Sequence, residues 1–278
     1  MSVKAYAMSE TADIPTEKWS FPDHDAFSRM EHEHRLPFIR ALPGMVVWPI
    51  LLFVLAFGFS FVTAVVTGVF LPDIGPANFN TAIFASSAAA YGALALLMAI
   101  WFHRYRAAGP AFSIIPVRPS EIAAGLLVLI FVIFVGGRLS VMFHEFAMLD
   151  QSMTLSGGVD IEEISNVDDF GMTGAAFWSV LLLTVIAAPI VEEVLFRGWM
   201  LPMIIARGVP VIFAILISAL AFSLIHTSQG LLVMSSTFFL GIALGLARVL
   251  TGRVAAPVLG HMANNAWAVF AVPALMQS

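Results

Sequence analysis

Seven apolar runs dominate the sequence, at about 45–71, 81–102, 121–142, 174–196, 209–226, 230–249 and 254–275. Each approaches the roughly 20 residues that a helix needs to cross the hydrocarbon of a bilayer. With 60% apolar and 11% charged residues, the chain has more apolar surface than one water-soluble globule can hide, since soluble domains run at about 45–50% and 25%. In lipid a spanning segment must satisfy its own backbone hydrogen bonds, and no β alternation is evident, so the runs read as helices. The expected fold class is all-α, a polytopic transmembrane bundle of about seven membrane-spanning helices. Residues 1–43 are expected as a cytoplasmic N-terminal segment and residues 44–278 as the bundle. Short breaks between the last four runs favour one compact unit. Cysteine is absent, which excludes disulfides, thiolate metal ligands and cysteine nucleophiles.

Lys and Arg set the expected orientation. The N-terminal segment carries Lys4, Lys18, Arg29, Arg35 and Arg40, and the loop near residues 72–80 carries none. Arg104, Arg106 and Arg118 fill the second loop. The third connection is acidic, with Asp150, Asp160, Glu162, Glu163, Asp168 and Asp169. Arg197 and Arg207 read as the fourth loop, Thr227 to Gln229 as an uncharged fifth, and Arg248 with Arg253 as the sixth. The alternation places the N-terminus in the cytoplasm and the C-terminus outside; a bacterial cytoplasmic (inner) membrane is the expected location. No short basic start leads into an apolar core, so no cleavable signal peptide is expected. Residues 23–42 mix charges with Phe27, Met30, Leu36, Phe38, Ile39 and Leu42, the composition of an interfacial helix or a solvated leader.

Against this background a few ionisable residues stand out. Glu192 and Glu193 lie inside TVIAAPIVEEVLFRGWMLPMII, and His226 and His261 lie in or at the end of later runs. An ionisable group in hydrocarbon costs about 2.5–3.5 kcal/mol or more and marks a functional site by default. Glu193 and Arg197 are four apart and share a helix face, the spacing of an ion pair that is equally at home in a purely structural role. Glu192 is turned about 100° away and meets a different neighbour. Phe222 and His226 are likewise four apart, as are His261 and Asn265, with Asn264 close by. Pro189 is placed to loosen the helix and widen a cavity. Gly241 and Gly245 form a GxxxG suited to close helix approach, and Phe222 reads as packing.

Two chemistries are open to these residue types. A carboxylate in an apolar pocket, with a histidine, can activate water, while a second histidine and an asparagine offer N–H groups to an oxyanion. Alternatively, a glutamate and two histidines (Glu192, His226 and His261) could hold zinc with one position open for water. The cofactor is therefore either none or Zn. The same residues would also serve as a proton or ion relay in a transporter.

The order EExxxR, FxxxH, HxxxN on successive apolar segments resembles the CPBP family of intramembrane proteases, which includes the type II CAAX prenyl proteases and the Abi bacteriocin-processing or immunity proteins. Here the motifs are Glu192-Glu193 with Arg197, Phe222 with His226, and His261 with Asn265. The resemblance covers about residues 174–270 and implies an endopeptidase core there, acting on a peptide or membrane-protein substrate, with the bilayer and not nucleic acid as partner. It implies that Glu192 and His226 activate water, that His261 and Asn265 stabilise the oxyanion, and that Glu193 and Arg197 support the site. It leaves open metal-dependent or glutamate-dependent chemistry, and a silent scaffold or immunity protein of the same fold. With seven spans, where the eukaryotic-type prenyl proteases resemble eight, it does not fix a prenylated substrate. With the fourth span ended at residue 196, Glu192 and His226 would lie at opposite depths. The apolar run continues to Ile205, and a helix carried that far brings the two nearly level.

Overall fold

Why the chain can bring charged groups together in lipid becomes clear from the lengths of its helices. A computed structural model describes residues 38–71, 73, 75–104, 111–148 and 174–272, and among these every regular element is helical. Helix α1 is Phe38–Phe70 and α2 is Pro76–Arg104. Helix α3 covers residues 119–148 and α4 residues 174–206, each a continuous rod with π-helical stretches inside it. Helix α5 is Val211–Leu224, and a 3-10 turn, Thr227–Gln229, leads to α6, Leu231–Thr251. Helix α7 covers residues 255–271. Expectations for residues 1–37, for the acidic connection Asp150 to Asp169, and for Arg106 lie outside the described residues.

Four helices are long and apolar enough to cross a membrane: Thr81–Ile100, Pro119–Phe146, Phe177–Ile205 and Leu231–Thr251. The fifth run is not among them. Val211–Leu224 has 14 residues, about 21 Å at ~1.5 Å per residue, short of the ~30 Å hydrocarbon core. Conversely, the fourth run does not stop at 196. Arg197, read from the sequence as a loop residue, is 0% exposed inside α4, where it pairs with Glu193. Arg248, assigned to the sixth loop, is equally buried in α6 and donates from Nε to the Arg197 carbonyl at 3.1 Å. Positive-inside counting treats each arginine as a solvated loop charge, and it miscounts those that are internal partners.

Helix α4 is the central rod. Within its most apolar window 56% of residues are buried inside the bundle, against 22–44% for the other three spanning helices. It widens into π turns at Leu181–Ala187 and Val194–Met200, and Pro189 and Pro202 stand just after these stretches. A proline lacks the N–H for the i−4 carbonyl and its ring crowds that carbonyl, and a widened turn relieves the clash. The helix therefore swells where the sequence suggested a break. Widened turns leave carbonyls without their usual N–H partner. Side chains from other helices cover two of them: Thr184 O accepts from Asn265 Nδ2 at 2.8 Å and Arg197 O from Arg248, while Ser218 Oγ adds a bond at 3.2 Å to Phe196 O, which also takes the Leu201 N–H.

Small residues then let neighbouring helices close on this rod. Gly241 and Gly245 lie so near α5 that an added Cβ would sit 3.0 Å from Ala219 Cα and 2.9 Å from Ile215 Cγ2, as the GxxxG spacing suggested. Gly125 of α3 and Gly260 of α7 make a second close approach, a Cβ on Gly125 reaching 3.0 Å from the Gly260 nitrogen. Outside the centre, Glu121 at the start of α3 is 1% exposed and ion-paired to Arg253 at 2.8 Å, while Arg253 also donates to Pro116 O. This pair ties the α6–α7 turn to the segment before α3.

Candidate active site

Near the midpoint of Phe177–Ile205, Ala188–Glu193 is a single α-helical turn and a half between the two π stretches. From it Glu192 and Glu193 project about 100° apart into the bundle interior, 4% and 0% exposed. Glu193 Oε1 accepts from Arg197 Nη1 at 2.9 Å and from His261 Nδ1 at 3.0 Å. Arg197 is fixed in turn: its Nη2 donates to Gly241 O at 2.9 Å, and its guanidinium carbon lies 4.6 Å from the centroid of the Phe222 ring. The glycine at 241 is what allows that approach, since a Cβ there would stand 3.3 Å from Nη2. The i,i+4 pair expected from the sequence is present, and it is buried and bidentate in function, one arm on a carboxylate and one on a backbone carbonyl.

His261 bridges the two glutamates. Its Nδ1 faces Glu193, and its Nε2 lies 3.9 Å from Glu192 Oε2, beyond hydrogen-bond distance. A carboxylate shared with Arg197 acts as acceptor, so Nδ1 carries the proton. Glu192 Oε1 is held from a different side, by the hydroxyl of Tyr91 at 3.1 Å. Glu192, Glu193, Arg197 and His261 thus converge, with a tyrosine from α2 that motif reasoning passed over. The signal for it was slight but present: Tyr91 sits midway along the apolar run AAAYGALALLM, whereas membrane tyrosines usually gather at the interfaces.

His226 reaches the cluster through an aromatic ring. Phe222 holds the His226 ring edge-on at a centroid distance of 4.9 Å and the His261 ring at 5.4 Å. His226 Nδ1 lies 2.9 Å from the Phe222 carbonyl. A carbonyl only accepts, so Nδ1 bears the hydrogen and Nε2 keeps its lone pair in the neutral ring. His226, two residues past Leu224, is half-buried at the end of α5. Asn265, one turn beyond His261, gives Nδ2 to Thr184 O and accepts from Asn264 at 3.2 Å. Its second N–H is the one left for other work. Phe222, expected as packing, is buried in the core and also braces Arg197 and both imidazoles.

The donor set suggested for zinc is a separate matter. Among the described residues no three His, Asp or Glu side chains gather as a metal-holding group. His226 and His261 each engage Nδ1 with a backbone carbonyl or a carboxylate and so present Nε2, the nitrogen that would face either a metal or a water.

Fold and site together define a polytopic helical membrane protein with a carboxylate–imidazole centre sunk inside its bundle. Residues 174–267, the segment that carries all three motifs, match the family model described as type II CAAX prenyl endopeptidase Rce1-like, a likeness that supports a CPBP-type intramembrane protease over that segment. The match supports endopeptidase activity in the membrane and an enzyme of the CAAX-protease type. No curated protein and no solved structure matches the chain.

Proposed function

We propose that the protein cleaves a peptide bond within the membrane by means of water activated at Glu192 and His226. The convergence of Glu192 and Glu193 on His261 inside the bundle carries this reading. Glu192 Oε2 is the oxygen that Tyr91 does not occupy, and His226 Nε2 is the free ring nitrogen. A water held between such groups loses its proton to Glu192 as its oxygen attacks the carbonyl carbon. The tetrahedral oxyanion then meets N–H groups from Asn265 Nδ2 and, when doubly protonated, from His261 Nε2. Glu192 returns the proton to the leaving amine as the C–N bond breaks, giving one carboxylic acid and one amine. Glu193 and Arg197 hold His261 in register. No step requires a metal.

The test is cleavage of a farnesylated peptide ending in a CAAX sequence, and of its unprenylated twin, by purified protein in proteoliposomes. Glu192→Ala and His226→Ala are expected to lower the rate by at least about 100-fold, the scale of a lost general base, with unfolding temperatures near the parent's. Persistence of cleavage in both variants overturns the mechanism, and the difference between the two peptides decides whether prenylation matters. Metal analysis with chelator treatment is expected to leave the rate unchanged. Ion flux without any cleavage would instead favour a relay in a transporter.

A further inference from the structure

Glu192 would be a poor base if its carboxylate could swing. Its side chain has three rotatable bonds, and its nearest imidazole nitrogen is 3.9 Å away, too far to fix it. What holds it is the Tyr91 hydroxyl, donating to Oε1 at 3.1 Å across 101 residues of sequence. The tyrosine is itself well braced. Leu94 and Met98 follow it at i+3 and i+7 on the same face of α2, 1% and 0% exposed, and both belong to the buried core. A phenol on a rigid helix therefore meets a carboxylate on the central rod. Oε1 is occupied, and Oε2 is left turned toward His261.

We propose that Tyr91 is a positioning residue for hydrolysis, its hydroxyl locking the Glu192 carboxylate so that Oε2 is the oxygen presented to water. Tyr91 lies outside residues 174–267, so the N-terminal half of the bundle contributes a group to the site and is more than a lipid-facing frame. The proposal rests on the endopeptidase reading above. It predicts a loss confined to turnover: the peptide would bind as before, while the base would more often point away.

The test is Tyr91→Phe, which keeps the ring and removes only the hydroxyl, measured beside the parent and Glu192→Ala on the farnesylated CAAX peptide. A hydrogen bond to a charged acceptor lost in the transition state corresponds to a fall of about 10- to 100-fold in kcat, with KM and unfolding temperature unchanged. If the parent cleaves, Glu192→Ala does not, and Tyr91→Phe matches the parent, the positioning role falls and the hydrolytic reading stands. If Tyr91→Phe instead loses heat stability along with activity, the tyrosine is structural and the proposal also falls. If the parent fails to cleave, or Glu192→Ala cleaves as well as the parent, both readings fall together.

Discussion

Arg197 shows what a single buried charge asks of its neighbours. Fully enclosed, it is paired with Glu193, bonded to Gly241 O and stacked on Phe222. Removing one partner of such a pair leaves the other charged and without its counter-ion in a low-dielectric interior, at a cost of up to about 3–5 kcal/mol, here with Glu193 keeping only its bond from His261, whereas replacing both with neutral groups of similar size is often nearly neutral. Arg197→Met alone is therefore expected to lower the thermal unfolding temperature in detergent sharply, and Glu193→Gln with Arg197→Met to recover most of the loss. Equal stability of the single and double variants would show that Glu193 is not a charged dependant of Arg197. At this scale the sequence was informative for one kind of residue. Glu192, Glu193 and His261 could be picked out because ionisable groups in apolar runs are costly wherever they point. Tyr91 could not, because a tyrosine is cheap in such a run and its partner lies 101 positions away. The bond between Asn265 and Thr184 was hidden for a related reason: it depends on a carbonyl released by a π turn, and no residue pattern announces that turn.

Helices were legible as helices, while their lengths and departures from α geometry were not. The hydropathy that marks a span is blind to whether an arginine ends it or is buried in it, so the sequence was consistent with an end at 196 or at Ile205, and the helix takes the longer course through the buried Arg197. Nor does hydropathy distinguish a run that crosses from one that stops short, as the 14 residues of α5 do. Close approaches between helices follow from glycines, though only the pair spaced in one helix, Gly241 and Gly245, was readable; Gly125 and Gly260 meet across α3 and α7. These contacts differ in what they would tolerate. A Cβ at Gly198 would run into the backbone carbonyl of Ala111, an atom that cannot step aside without moving its chain, whereas at Gly245 it would press on Cγ2 of Ile215, the end of a side chain. Overpacking of this kind costs about 1–3 kcal/mol. Gly198→Ala is expected at or above the top of that range and Gly245→Ala near the bottom, as read by thermal unfolding of the purified variants. Equal losses at the two sites would mean that the 111–118 segment yields as easily as an isoleucine rotamer.

For the molecule as a whole, the open physical quantity is which way the bundle sits in the membrane. With Arg197 and Arg248 withdrawn as buried partners, the loop charges that remain among the described residues are Arg118, Arg207 and Arg253, beside Arg104 at the end of α2. Arg253 is bonded through Glu121 and Pro116 to the start of α3, so two of the basic connections share one end of the bundle. The 3-10 turn at Thr227–Gln229, on the other side of α5, carries no charge. Shortening the list thus leaves its asymmetry intact, and from it we infer that the α2–α3 and α6–α7 connections face the cytoplasm and the α5–α6 turn faces outward. The absence of cysteine from the chain makes this directly measurable, because a single introduced thiol is the only one present. In intact cells a membrane-impermeant maleimide is expected to label Gln229→Cys, at an exposed position in that turn, and to spare Ser120→Cys beside the basic α2–α3 connection until the membrane is opened. The opposite pattern would invert the bundle and place the short α5, with His226 at its tip, as a helix entering from the outer face.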